Sequence, residues 1–183
     1  MKVVKNMVAA FSMKAEFAAR RNKLYRIAYS WCHDPALADD LVQETIYKAI
    51  KNASRLRDVK TMDSWLYRIL YNCWQDYLRV KGRYVEFVEM HDEEQAGQSD
   101  NYQQSQIVKR VRASVEQLPL PLREVVTLAD FAGCSYAQIA EITEVPIGTV
   151  MSRLFRARKS LKEQLLEFGS DENMSEFKLR MVK

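Results

Sequence analysis

The sequence predicts an all-α protein made of two small helical domains joined by a flexible acidic linker. Three observations carry that expectation. Glycine and proline are scarce, with 5 and 4 copies in 183 residues, while leucine, alanine, arginine, lysine and glutamate are plentiful, a composition that favours helix throughout. Apolar residues recur at three- and four-residue steps on both sides of a central stretch that has no periodicity. Charge is partitioned along the chain: residues 1–84 hold 16 Lys and Arg against 8 Asp and Glu, residues 85–106 hold none against 6, and residues 107–183 hold 12 against 10.

The front domain is expected over residues 12–84. Phe17, Leu24, Ile27, Ala28 and Trp31 lie on one helical stripe, and that helix should stop before Asp34-Pro35, since proline disfavours helix in the residue before it. In the next helix Leu37, Leu41, Ile46, Ala49 and Ile50 form the apolar stripe, leaving Asp40, Gln43, Glu44, Tyr47 and Lys48 off it. The segment ASRLRDVKTMD is polar and aperiodic and reads as a basic loop carrying Arg55, Arg57 and Lys60, with Asp63 or Ser64 as the cap of a third helix. That helix has Leu66, Ile69, Leu70, Cys73, Trp74 and Tyr77 at helical spacing and ends near Lys81 and Arg83. Trp65, Tyr67, Tyr71, Trp74 and Tyr77 crowd into thirteen positions. The tryptophans are expected in the core, whereas Tyr67 and Tyr71 are hard to bury alongside them. Rings beside a basic loop suit unstacked bases, which stack on aromatic faces while cationic side chains neutralise phosphate.

Residues 85–106, VEFVEMHDEEQAGQSDNYQQSQ, are acidic and rich in glutamine and read as a linker. Fully extended they would span roughly 70 Å.

The back domain is expected over residues 107–168. Ile107, Val108, Val111 and Val115 open a helix that stops at LPLPLRE; Val125, Val126, Leu128 and Phe131 mark a second, ended by Gly133. Ser135-Tyr-Ala-Gln138 is a capping box for a short helix with Ile139, Ala140 and Ile142 inside, and Val145-Pro-Ile-Gly148 is a turn. The helix that follows, GTVMSRLFRARKSL, buries Val150, Leu154, Ala157 and Leu161 and spreads Met151, Ser152, Arg153, Phe155, Arg156, Arg158 and Lys159 over its remaining surface. A short helix, a tight turn and a longer basic helix compose a helix-turn-helix. Arginines on its second helix suit guanine edges or phosphates, and its apolar members a thymine methyl group.

Other functions are disfavoured. Cys32, Cys73 and Cys134 are odd in number and widely spaced, which fits neither a disulfide framework nor a zinc clip. His33-Asp34 has only His91, in the linker, as a histidine companion, so no metal site and no metal-dependent enzyme is expected. The N-terminal MKVVKNMVAAF faintly suggests a signal peptide, but Ser12 and Lys14 interrupt it; no apolar stretch reaches the ~20 residues a membrane span needs, and a cytoplasmic protein is expected. A stand-alone DNA-binding regulator remains open at this point, because a helix-turn-helix identifies DNA binding and nothing more.

The order DDLVQETIYKAI, DSWLYRILYNCWQDYLR, acidic linker, then LPLPLREVVTLADFAGCSYAQIAEITEVPIGTVMSRLFRARKSL resembles the sigma-70 family of bacterial transcription initiation factors, and the two-domain plan resembles its extracytoplasmic-function group. The resemblance covers almost the whole chain. It implies an alternative sigma factor, not an enzyme and without a cofactor, that binds core RNA polymerase and directs promoter-specific initiation under the control of an anti-sigma factor. It implies that Asp40, Gln43, Glu44 and Lys48 contact polymerase, whose largest-subunit coiled coil and flap are the docking sites. It implies that Arg55, Arg57, Lys60, Tyr67, Arg68, Tyr71, Asn72, Lys81 and Arg83 bind and melt the minus-ten element. Thr149, Met151, Ser152, Arg153, Phe155, Arg156, Arg158 and Lys159 would read the minus-thirty-five element. Met151 stands where many relatives carry arginine or lysine.

Overall fold

The computed structural model describes residues 2–56, 58–85 and 102–167. Arg57, most of the expected linker (residues 86–101) and the C-terminal tail lie outside them. The described residues form seven α-helices and no strand.

The front domain holds α1 (Lys2–Cys32), α2 (Pro35–Lys51) and α3 (Met62–Val85). Helix α1 begins ten residues ahead of the expected boundary at residue 12. It ends where predicted. His33 takes a left-handed conformation, φ 54°, and donates its backbone N–H to Tyr29 O at 2.8 Å. Asp34 then caps α2, its Oδ1 accepting from the backbone N–H groups of Ala36 and Leu37 at 2.8 and 3.1 Å, and Pro35 occupies the first helical position, where no backbone N–H is needed. Phe17, Leu24, Ile27, Ala28 and Trp31 of α1 are buried with Ala38, Leu41, Val42 and Ala49 of α2 and Met62, Leu66, Leu70, Cys73 and Trp74 of α3. Each large apolar side chain so buried stabilises the fold by about 1.5–3 kcal/mol before the entropy of ordering is subtracted. The one polar intruder in α2, Thr45, donates its hydroxyl to Leu41 O at 2.7 Å and so leaves no unmet donor.

Two expectations in this domain are corrected. Ile50, assigned to the apolar stripe of α2, is exposed. Neither Asp63 nor Ser64 caps α3, which starts at Met62; Asp63 instead pairs with Arg20 at 2.6 Å and Lys23 at 3.4 Å, clamping α3 to α1.

The back domain holds α4 (Tyr102–Glu116), α5 (Leu120–Val126), α6 (Tyr136–Thr143) and α7 (Ile147–Glu167). Helix α4 starts inside the expected linker, five residues before Ile107. A five-residue π turn, Thr127–Phe131, extends α5, with Ala132 N–H donating to Thr127 O at 3.0 Å. Gly133, φ 76°, ends it. Ser135 and Gln138 make both bonds of the capping box, at 3.3 and 2.8 Å. Helix α7 begins one residue before Gly148, still within the expected turn. Its predicted inner stripe is the observed one: Val150, Leu154, Ala157 and Leu161 are buried against Val125, Val126, Leu128, Ile139 and Ile142. Phe131 and Val108, expected inside, are exposed.

The two domains pack on each other. Helix α1 lies against α4, α5 and the π turn, and α3 lies against α6.

Candidate nucleic-acid interface

Three faces carry the residues singled out in the sequence. On α2, Asp40, Gln43 and Glu44 are exposed side by side, as their spacing requires. Lys48, one turn beyond Glu44, is half-buried and engaged: its Nζ lies 3.4 Å from Glu44, 3.8 Å from Asp76 and 3.5 Å from Cys73 Sγ. It therefore fixes the carboxylates around it more than it offers charge outward. Burial of Cys73 pushes its thiol above the ordinary range, so this neighbour is uncharged.

The second face is α3 with the loop before it. Lys60, Asn72 and Lys81 are exposed. Tyr67 and Tyr71 correct the sequence expectation: they are 3% and 9% exposed. Tyr67 sits under Lys23, whose Nζ is 5.4 Å from the ring centroid, and its hydroxyl donates to Asp63 at 3.5 Å. Tyr71 meets Trp31 edge-on at 5.9 Å and lies beside Glu124 of the back domain. Burial, followed by the Glu124 charge, pushes its phenol up to about 12. Arg68 reaches Glu144 of the back domain at 2.8 Å. The physical reason for the correction is that the back domain supplies the wall that α3 lacks within its own domain.

The third face is α7. Met151 and Phe155 are 53% and 71% exposed, and with Ile147 they make an outward apolar row at four-residue spacing. Ser152, Arg156 and Lys159 are exposed, and Thr149 is half-buried. Arg156 bonds only its own helix, Nε to Ser152 O at 3.4 Å. Arg158 is different. Its Nη2 and Nε donate to the two Asp130 oxygens at 2.6 and 3.3 Å, and its Nη1 donates to Tyr136 Oη at 3.4 Å. The Asp130 bonds raise the guanidinium pKa further and fasten α7 to the π turn. Arg153 is half-buried, and its charge opposes the upward shifts at Tyr71 and Glu124.

The arrangement can offer cations to phosphate from α3 and α7, and apolar and hydroxyl groups to base edges from α7. Among the described residues no cluster of three or more His, Cys, Asp or Glu could hold a metal ion. Sequence reasoning missed Glu124, which is 4% exposed. One of its oxygens accepts from Trp74 Nε1 at 3.0 Å and Gln75 Nε2 at 2.9 Å, while burial pushes its carboxyl upward against those bonds. The available signal was an acid on the same helical face as Leu128. Arg68 and Arg158 are thus held by this chain's own groups, Lys159 lies 3.9 Å from Glu163 one turn on, and Lys60, Asn72, Lys81 and Arg156 are left for a ligand.

Comparison with known proteins agrees with the geometry. Residues 17–84 match the family described as Sigma-70 region 2, and residues 109–161 the family described as Sigma-70, region 4. The chain is 32% identical over 162 residues to the RNA polymerase sigma-H factor of Pseudomonas aeruginosa, a match covering 79% of this chain and 81% of that one. It is 34% identical over 138 residues to the ECF RNA polymerase sigma-E factor of Salmonella typhimurium, covering 69% and 72%. The structure is similar to the sigma factor RpoE of Bartonella quintana, solved in complex with the anti-sigma factor NepR, with a TM-score of 0.68, 29% identity and coverage of 84% and 96%. CnrH, solved with the cytosolic domain of CnrY, shares the fold at a TM-score of 0.57 and 24% identity, with coverage of 84% and 86%.

Proposed function

The chain belongs to the sigma-70 family, in its extracytoplasmic-function group, and from that premise we propose that it binds core RNA polymerase and directs promoter-specific transcription initiation, held in check by an anti-sigma factor. The observation that carries this reading is the presence of regions 2 and 4, in order, on one chain. A stand-alone regulator has no use for the first.

The residue roles follow from chemistry. Asp40, Gln43 and Glu44 present two carboxylates and an amide to a basic polymerase surface, with Lys48 holding Glu44 in place. Lys60, Asn72 and Lys81, with Arg55, Arg57 and Arg83, supply phosphate contacts along the minus-ten strand. Tyr67, Arg68 and Tyr71 join them once the back domain moves away. Met151, Ser152, Phe155 and Arg156 read the minus-thirty-five major groove, with Thr149 and Lys159 at the phosphate flanks. Arg158 sets the pose of α7 through Asp130 and contributes little direct contact. Arg153, half-buried on α7, adds a cation beside these residues. No described helix is long and apolar enough to cross a membrane, and the cytoplasm, where polymerase works, is the location this reading requires.

Gel filtration with purified core polymerase tests it. Co-elution at physiological salt supports the sigma reading. Tight binding of promoter duplex by the chain alone, with no polymerase association, would return it to the regulator class.

A further inference from the structure

We propose that α7 selects thymine: Met151 and Phe155 cover C5 methyl groups on the floor of the major groove, so that tight binding needs thymines about two base pairs apart in the minus-thirty-five element. This rests on the reading of α7 as the groove helix, and it adds the base that the helix prefers and the atoms by which it is chosen.

Ile147, Met151 and Phe155 are each at least half exposed and follow one another by one turn of α7. A single exposed apolar side chain is ordinary, but three in register leave a strip that a partner covers more favourably than water does. What flanks the strip sets the chemistry of that partner. From Ile147 to Lys162 the helix carries Arg153, Arg156, Arg158, Lys159 and Lys162 and no acidic residue, so the partner is a polyanion that also offers apolar groups. The major groove is such a surface: phosphates line its edges, and the thymine methyl is the apolar group on its floor. Helix α7 also follows the capped helix α6 across a tight turn, the arrangement that lays a second helix in a groove; a flat anionic surface makes no such demand.

Neighbouring side chains narrow the choice of base pair. Gly148 and Ser152 flank the strip and are exposed, and a Cβ at Gly148 would meet nothing within 4 Å, so base edges have room to approach. Ser152 Oγ donates to Thr149 O at 3.0 Å. Its hydrogen is thereby spent, and toward the groove the hydroxyl is an acceptor, which suits the amino group of adenine or cytosine and not O6 or N7 of guanine. Only the thymine·adenine pair supplies both a methyl and an amino group. Met151, being uncharged, has nothing for guanine or phosphate. Met151 and Phe155 lie about 6 Å apart along the helix axis, close to two base-pair steps of about 3.4 Å, which gives the spacing of the two thymines.

The test uses the full chain assembled with core polymerase and a promoter duplex obtained by enriching genomic fragments on that complex. The duplex is synthesised twice, with the thymines of its minus-thirty-five element intact or replaced by deoxyuridine, which lacks only the C5 methyl. Covering one methyl is worth about fourfold in affinity and covering two about fifteenfold, so the replacement should weaken wild-type binding by at least about threefold. In Met151→Ala with Phe155→Ala, both exposed positions where alanine keeps the helix, the thymine duplex should bind more weakly and the penalty for deoxyuridine should vanish. A wild type that binds the two duplexes within about threefold of each other overturns the inference, as does a penalty that persists in the double variant. Arg156→Ala separates the underlying reading. If it weakens binding of the thymine duplex while the double variant does not, α7 is the groove helix but the apolar strip serves a protein partner, and thymine selection falls. If neither variant weakens binding, α7 is not the groove helix and both readings fall.

Discussion

Replacing Arg156 and Arg158 by alanine, one at a time, should have unlike effects although the two arginines are two positions apart on one helix. Arg156 is exposed and bonds nothing beyond its own backbone, so its charge is free for a phosphate. Losing one phosphate contact lowers the magnitude of the log–log salt slope by about 0.9, which means that raising salt from about 50 to 200 mM weakens the variant about 3.5-fold less than the wild type. Arg158 spends its guanidinium on Asp130 and Tyr136. Its removal should leave the slope unchanged and cost about 0.2–1 kcal/mol of stability, the range for a pair as solvent-exposed as this one. Fluorescence anisotropy of a promoter duplex titrated with holoenzyme over that salt range measures both slopes, and urea unfolding measures stability. A slope flattened by Arg158→Ala and untouched by Arg156→Ala would refute the division of roles. If Arg156 instead contacts a base, its slope stays and specificity relaxes at one position by about 1–3 kcal/mol.

Further outcomes are expected elsewhere. Asp40→Lys with Glu44→Lys should abolish association with core polymerase while circular dichroism stays unchanged, because both side chains are exposed on α2; undiminished association would remove α2 from the docking surface. Leu154→Ala, at a fully buried position of α7, should destabilise the back domain by about 2–5 kcal/mol in urea titration. Burial, and then the nearby Arg123 charge, lower the His33 pKa below its ordinary 6.5 against the opposing pull of Glu116. The neutral ring is therefore the form that suits the native state, and its contribution, present above pH 6.5, is lost as pH falls through the lowered native value. Melting temperature should accordingly drop as pH falls below about 6.5, and His33→Asn, which suits the left-handed backbone, should flatten that drop.

Much of the fold is legible in the residues themselves because helices write their core as a period. Val150, Leu154, Ala157 and Leu161 are read from spacing alone, and Ser135 with Gln138 from a local hydrogen-bond pattern. Asp34-Pro35 and Gly133 are legible as stops for similarly local reasons. The way the domains meet is not. Glu124 and Glu144 look like solvated acids in sequence, and only a surface about 50 to 76 residues away in the chain gives each its partner. Tyr67 and Tyr71 were expected to be exposed for the same reason: their cover comes from another domain. Arg158 is indistinguishable from Arg156 by composition, and what separates them is Asp130, 28 positions earlier, brought near by a π turn that no local pattern announces. The functional faces were readable as residue types; which members are free and which are engaged was not.

Run-off transcription by purified core polymerase, with and without this chain, on promoter templates whose minus-ten to minus-thirty-five spacer is changed one base pair at a time, tests the central claim most directly. The account predicts promoter-directed transcripts only when the chain is present. It also predicts a sharp spacer optimum, because polymerase fixes the domains and about 5 base pairs turn one element to the opposite face of a duplex with 10–10.5 per turn. Absence of chain-dependent transcripts, or a yield that stays flat across half a turn, would contradict it.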